Sequence, residues 1–239
     1  MKLLVSVVDA GEARLAAEAR ADIVDVKNPA EGSLGAPSPA VIAAVRAAVP
    51  EALPVSAAIG DLPNLPGTAA LAALGAAHSG AAFVKVGLWG VSTEAEAVAL
   101  LRTVRDAAPD AVVVAGAYAD ARRVASAPLA PELLPRVARA AGVDVCLLDT
   151  AVKDGRGLLD WLAPEALTAL VAEAHELGLA ITLAGALRAD DLPVVGATGA
   201  DIVGVRSAAC ADDRRTGSLD PTRVRALRAA CAATPRASR

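Results

Sequence analysis

Eight short runs rich in Val, Ile, Leu and small residues recur along this chain, each followed by a helical pattern, and no long linker separates them. Their period reads as strands at residues 3–8, 23–27, 54–60, 83–87, 111–118, 143–148, 180–183 and 201–205. Between and after them, the spacing predicts helices at 12–20, 39–49, 68–79, 93–107, 131–141, 162–177, 190–195 and 221–231, with Thr68 placed to cap the third. An internal echo supports a repeated unit: Ala21-Asp22-Ile23-Val24-Asp25-Val26-Lys27 matches Ala200-Asp201-Ile202-Val203-Gly204-Val205-Arg206.

Alternating strand and helix implies a parallel sheet, and eight units in 239 residues fit a single-domain (β/α)8 TIM barrel better than an open doubly wound sheet. Residues 1–239 form that one domain, with about 233–239 read as a flexible tail. The chain is 55% hydrophobic but only 2% aromatic, so the core must come from Ala, Val and Leu, which suits helices packed closely on strands.

Composition also removes several classes of function. The net charge is −4 and the arginines are scattered, so no basic stripe tracks a nucleic-acid backbone, and platforms for stacking bases are lacking. No apolar run reaches membrane-spanning length, and the start is too short and too quickly polar for a secretory signal. A cytoplasmic enzyme is the expectation. Cys146, Cys210 and Cys231 are too few for a disulfide framework or zinc motif, and His78 and His175 lie far apart, so a metal site has little support. Alanine-rich helices leave assembly with further copies of the chain open.

Of 23 basic residues only four are lysines, and three of them, Lys27, Lys85 and Lys153, fall at or just beyond strand ends. In a barrel the active site lies at the carboxyl ends of the strands, where Asp25, Asp61, Asp120 and Asp149 also sit. Crowded, partly desolvated amines have depressed pKa values, so one can be neutral and attack a carbonyl. The aspartates can orient it and move protons. The loops after strands seven and eight, with Gly185, Gly204, Arg206 and Ser207, occupy the usual barrel position for a phosphate. Arg206 can also be read as a surface pair with Asp212 or Asp213.

Asp25-Val26-Lys27-Asn28-Pro29 with Glu31-Gly32-Ser33-Leu34-Gly35, Gly60-Asp61 with Pro66-Gly67-Thr68, and Val84-Lys85-Val86-Gly87-Leu88 form one set of motifs. Gly116 with Tyr118-Ala119-Asp120, Leu148-Asp149-Thr150-Ala151 with Lys153-Asp154-Gly155, and Gly204-Val205-Arg206 form another. Together they resemble the (5-formylfuran-3-yl)methyl phosphate synthase family over nearly the whole chain. Two departures are visible: Val7 follows Ser6 where the family pattern has proline, and Ala211-Asp212-Asp213-Arg214 is one residue short of a glycine-bearing version.

The resemblance implies a barrel enzyme, without metal or organic cofactor, that joins two molecules of glyceraldehyde 3-phosphate into a furan aldehyde bearing one phosphomethyl group, a precursor of methanofuran-type cofactors. It makes Lys27 the imine-forming lysine and Asp25, Lys85, Asp149 and Lys153 its catalytic neighbours. The motif residues Asn28 and Ser33, with Asp61, Asp120, Gly185, Gly204, Arg206 and Ser207, complete the expected substrate- and phosphate-binding set. An imine-forming aldolase acting on another sugar phosphate, and a non-catalytic sensor of a phosphorylated ligand, fit the same residue types.

Overall fold

The structure, a computed structural model, describes residues 1–234. Its strands are β1 (Lys2–Val7), β2 (Ile23–Val26), β3 (Val55–Pro63), β4 (Phe83–Gly90), β5 (Val112–Tyr118), β6 (Val145–Asp149), β7 (Ala180–Leu183) and β8 (Ile202–Val205). Each pairs in parallel with the next, and β8 pairs with β1, which closes the barrel. The helices are α1 (Ala10–Glu18), α2 (Pro39–Ala48), α3 (Pro66–His78), α4 (Glu94–Ala107), α5 (Leu134–Ala141), α6 (Pro164–Glu176), α7 (Leu192–Ala197) and α8 (Pro221–Ala233). The expected (β/α)8 architecture is therefore present. The tail expected from about 233 lies, beyond Thr234, outside the described residues.

Strand alternation separates two interiors. Leu3, Val5, Val24, Val26, Val84 and Val86 face outward and pack with Ala13, Ala16, Ile42, Val45, Ala69 and Ala73 of the helices. Burying one Val or Leu side chain contributes roughly 1.5–3 kcal/mol, so this outer layer carries the stability. Inside, Leu4, Ile23 and Ile202 meet in one small apolar cluster and Val114, Val145 and Leu147 in another. Polar side chains occupy the layer nearer the mouth, over an apolar floor.

Helix starts follow local chemistry. Pro39, Pro66, Pro164 and Pro221 each open a helix, where their missing N–H is no loss. That corrects Thr68: α3 begins at Pro66 with no side-chain cap, and Thr68 lies within it. The second difference is the length of β3 and β4. Both continue past the barrel rim, pairing Asp61 with Gly87 and Pro63 with Gly90 through irregular register. Gly87 permits this approach, because a Cβ there would lie 2.3 Å from the Tyr118 hydroxyl oxygen. Among the described residues, no helix is long and apolar enough to cross a membrane.

Candidate active site

At the mouth of the barrel, a cavity of about 770 Å³, part of it open solvent, is lined by residues of all eight strands and of several loops that follow them. Its polar base spans three neighbouring strands. Ser6 of β1, Asp25 of β2 and Ser56 of β3 are in register, so their side chains enter the cavity at one level. Asp25 is fully buried; its Oδ2 accepts hydrogen bonds from Ser6 Oγ at 2.9 Å and Lys85 Nζ at 2.6 Å. Its Oδ1 and the Ser56 Oγ are buried without a partner. Leaving such a group unpaired costs about 1–3 kcal/mol, and such exceptions concentrate where a ligand or water enters.

On the opposite side, Asp149 ends β6 and Lys153 in the following loop reaches back four residues to it, with Nζ 2.8 Å from Asp149 Oδ1 and 3.0 Å from Thr150 Oγ1. Burial alone would raise the Asp149 pKa, but the charges of Lys153 and Lys27 and the hydrogen bonds from Lys153 and the Thr150 N–H overcome it and hold the carboxylate at about 2.

Lys27 lies between these two pairs, 8% exposed, just past the end of β2. Among the described residues its amine has neither an ion-pair nor a hydrogen-bond partner. Desolvation dominates its titration; Lys85 and Lys153 add to the lowering, Asp149 and Asp25 oppose it, and the pKa falls from 10.5 to about 8. At pH 7 about a tenth of such amines are neutral, against fewer than about one in a thousand for an ordinary lysine. The site can therefore present a nucleophilic amine flanked by an ionised carboxylate and two further ammonium groups.

The structure brings Asp25, Lys27, Lys85, Asp149, Lys153, Gly185, Gly204, Arg206 and Ser207 to this one cavity. It places Asn28, Ser33, Asp61 and Asp120 outside the lining, where protein groups occupy them. Asn28 Nδ2 donates to Glu31 at 2.9 Å within its own turn. Ser33 donates its hydroxyl to the Thr150 carbonyl at 2.8 Å, tying the loop after β2 to that after β6. Asp61 accepts from the backbone N–H of Ser33 at 2.7 Å and from the Tyr118 hydroxyl at 2.5 Å. Gly32 allows this, since its φ is +139° and a Cβ would lie 2.2 Å from Asp61 Oδ2. Asp120 accepts from the N–H groups of Ala151 at 2.6 Å and Val152 at 2.9 Å. These are the fastenings of the loops that carry the site.

Arg206 also needs correction. Its partner is Glu12 of α1, at 2.5 and 3.1 Å, while Asp212 pairs with Arg214 and Asp213 with Arg223. Its remaining N–H groups donate to the carbonyls of Ser6, Arg215 and Gly217, so all five guanidinium donors are taken by protein. Sequence reasoning missed Ser6, Ser56 and Arg215. The two serines carry a signal, being polar residues at matched positions of otherwise apolar strands. Arg215 lines the cavity from the loop after β8 and sits in an arginine-rich stretch with nothing to single it out. Among the described residues, no three His, Cys, Asp or Glu side chains gather as a metal site.

Comparison with known proteins adds independent support. The model of the 4-HFC-P synthase family matches residues 3–228. A (5-formylfuran-3-yl)methyl phosphate synthase of Methanocaldococcus jannaschii is 48% identical over 236 residues, covering 97% of this chain and all of that one. The protein of the same name from Methanopyrus kandleri is 50% identical over 236 residues, covering 97% and 99%. Among solved structures, 3-hexulose-6-phosphate synthase of Salmonella typhimurium superposes with a TM-score of 0.66 at 19% identity over 97% of this chain and 99% of that one, a likeness of fold. Phosphoribosyl anthranilate isomerase of Thermus thermophilus gives 0.64 at 18%, covering 97% and 98%. Together with a barrel whose lysines and aspartates meet in one cavity, the near-complete match shows that this chain is an enzyme belonging to the 4-HFC-P synthase family.

Proposed function

We propose that the protein condenses two molecules of glyceraldehyde 3-phosphate into (5-formylfuran-3-yl)methyl phosphate, as a carbon-oxygen lyase using a lysine imine in the cytoplasm. Two three-carbon aldehydes supply the six carbons of the product; one phosphate and two waters leave. The product belongs at the furan-precursor step of a methanofuran-type cofactor or a related furan.

The observation that carries the reading is Lys27, a buried cavity amine held near pKa 8 with no partner of its own. Its nitrogen attacks the aldehyde carbon and water leaves as the imine forms. The lone pairs of Asp25 Oδ1, which no donor occupies, make that carboxylate the base for the α proton. The resulting enamine expels the β-phosphate or attacks the second aldehyde. Asp149, ionised throughout, balances the iminium charge, while Lys85 and Lys153 stabilise developing oxyanions and phosphate.

The test is incubation of the purified protein with glyceraldehyde 3-phosphate alone, following released phosphate and searching for the furan by ultraviolet absorbance and mass spectrometry. Phosphate release with a six-carbon furan monophosphate is the expected result. An aldol product that keeps both phosphates would instead identify an imine-forming aldolase. Binding without turnover, and without a borohydride-trapped adduct, would identify a sensor.

A further inference from the structure

Lys27 aside, the cations of the cavity are paired one by one, and Arg215 is left over. Lys85 is held by Asp25 and Lys153 by Asp149, while Arg206 is saturated by Glu12 and three carbonyls. Arg215 lines the same cavity, half-buried, and no carboxylate lies within ion-pair distance of it among the described residues. Its one hydrogen bond runs from Nη2 to the Gly32 carbonyl at 2.6 Å, so most of its guanidinium donors remain available. Burial opposes its charge and holds its pKa below the usual arginine value, with Asp149 and Asp61 acting through space in the other direction.

The surrounding loop is built to present this side chain. Arg206, itself 7% exposed, donates to the carbonyls of Arg215 and Gly217 and so fixes the backbone on both sides of residue 216. The strap to Gly32 draws the Arg215 guanidinium across the mouth towards the loop after β2, which begins at Lys27. A planar, half-desolvated guanidinium with free donors is suited to paired hydrogen bonds with an oxyanion.

We propose that Arg215 is the phosphate anchor of the cavity, taking the dianionic group of a phosphomonoester on its free N–H groups while the carbonyl end lies at Lys27. The assignment rests on the reading above that the substrate is a phosphorylated aldehyde, and it moves the side-chain phosphate contact from Arg206, whose donors are spent, to its neighbour on the same loop.

The test uses the full chain with Arg215→Met and Arg215→Lys, and three probes: inorganic phosphate, glyceraldehyde 3-phosphate and unphosphorylated glyceraldehyde. Titration calorimetry is expected to show phosphate affinity weakened roughly ten- to a hundredfold in R215M, the loss of charge-assisted hydrogen bonds. KM for glyceraldehyde 3-phosphate rises by a similar factor with a smaller change in kcat. In borohydride trapping at Lys27, the preference for the phosphorylated aldehyde over glyceraldehyde shrinks by the same factor, and R215K falls between the two. A role confined to the Gly32 strap would reduce trapping of both aldehydes alike and keep their ratio, which would overturn the proposal. So would unchanged phosphate affinity in a folded R215M.

These readouts do not need the furan. A wild-type chain that makes no furan while R215M loses phosphate affinity overturns the synthase reading and upholds the anchor. Furan formation with unaltered phosphate affinity in R215M does the reverse.

Discussion

Carboxylates at the barrel rim and inside the barrel mouth are finished to different degrees. At the rim, Asp61 receives two backbone N–H groups and a tyrosine hydroxyl, Asp120 receives two N–H groups, and Glu12 receives a bidentate arginine and the N–H groups of Val8 and Leu219. Inside, one oxygen of Asp25 and the hydroxyl of Ser56 have no donor or acceptor, and the Lys27 amine has no counter-ion in contact. Both regions are charged, and both are at least partly shielded from solvent. Completed networks hold loops; incomplete ones keep valence for a substrate, at the expense of stability.

Removing the amine breaks the comparison most sharply. Lys27→Ala is expected to lower furan formation by more than about a thousandfold and to abolish the borohydride adduct, since the other two cavity amines, Lys85 and Lys153, are held in ion pairs. The same position should show the opposite sign in stability. Lys27→Met removes a charge whose burial lowers its pKa from 10.5 to about 8; at 1.36 kcal/mol per unit, the gain at pH 7 is up to roughly 3 kcal/mol in urea unfolding. A variant that loses both activity and stability would place Lys27 among the fastenings.

Asp61→Ala should do the reverse. It strands the N–H groups of Ser33 and Leu34 and the Tyr118 hydroxyl, and about 1 kcal/mol or more for each gives a loss of roughly 3 kcal/mol. Imine formation should persist in whatever fraction remains folded, with Lys27 still trapped. Unchanged stability would show that water replaces the carboxylate at the rim.

This pair of variants also marks where the sequence is legible. The barrel can be read because eight apolar runs alternate with helical patterns, and prolines at 39, 66, 164 and 221 announce helix starts. The lysines can be read because a chain that uses arginine almost everywhere keeps three at strand ends. Direction is harder. Asp61 and Asp25 both look like carboxylates of strand ends, yet one turns outward to the loop backbone and the other inward, and that choice is set by neighbours far along the chain. Glu12 lies 194 residues from Arg206, so the pairing that consumes the expected phosphate arginine leaves no local trace. Arg215 becomes distinguishable from Arg214 only when the folded loop points it into the cavity.

The pH dependence sharpens the electrostatic half of the comparison. Imine formation needs the neutral amine, so the trapping rate should rise with pH to a plateau with its midpoint near 8. Stability should rise over a related window: between about 8 and 10.5 the unfolded chain binds more protons at Lys27 than the folded one, so this group destabilises the fold below about 8 and the penalty fades above it. Lys85→Met removes a neighbouring positive charge and frees the Asp25 carboxylate. Both changes favour the protonated amine, and the trapping midpoint should move up by about one unit, roughly tenfold in rate at pH 7. A downward shift would mean that Lys85 acts on Lys27 through shape rather than charge.

The smallest expected effect concerns a carboxylate that looks as perturbed as any in the site. Asp154 follows Lys153 directly, and hydrogen bonds from Arg156 at 2.8 Å and Arg123 at 2.5 Å hold its carboxyl well below the usual range. Asp149, five residues earlier, is shifted in the same direction, but there the shift reflects buried charges with little water between them. At Asp154 the groups are partly exposed, and solvent and salt screen what the hydrogen bonds supply. Its two arginines also keep other contacts, with the guanidinium carbons of Arg156 and Arg123 lying 4.4 and 5.3 Å from the centre of the Trp161 ring. Asp154→Ala should therefore leave the melting temperature, the trapping midpoint and the rate of imine formation unchanged within measurement. If instead the trapping rate falls while stability holds, the exposed triad orders the loop that carries Lys153, and the boundary between fastening and reacting groups lies one residue further along the chain.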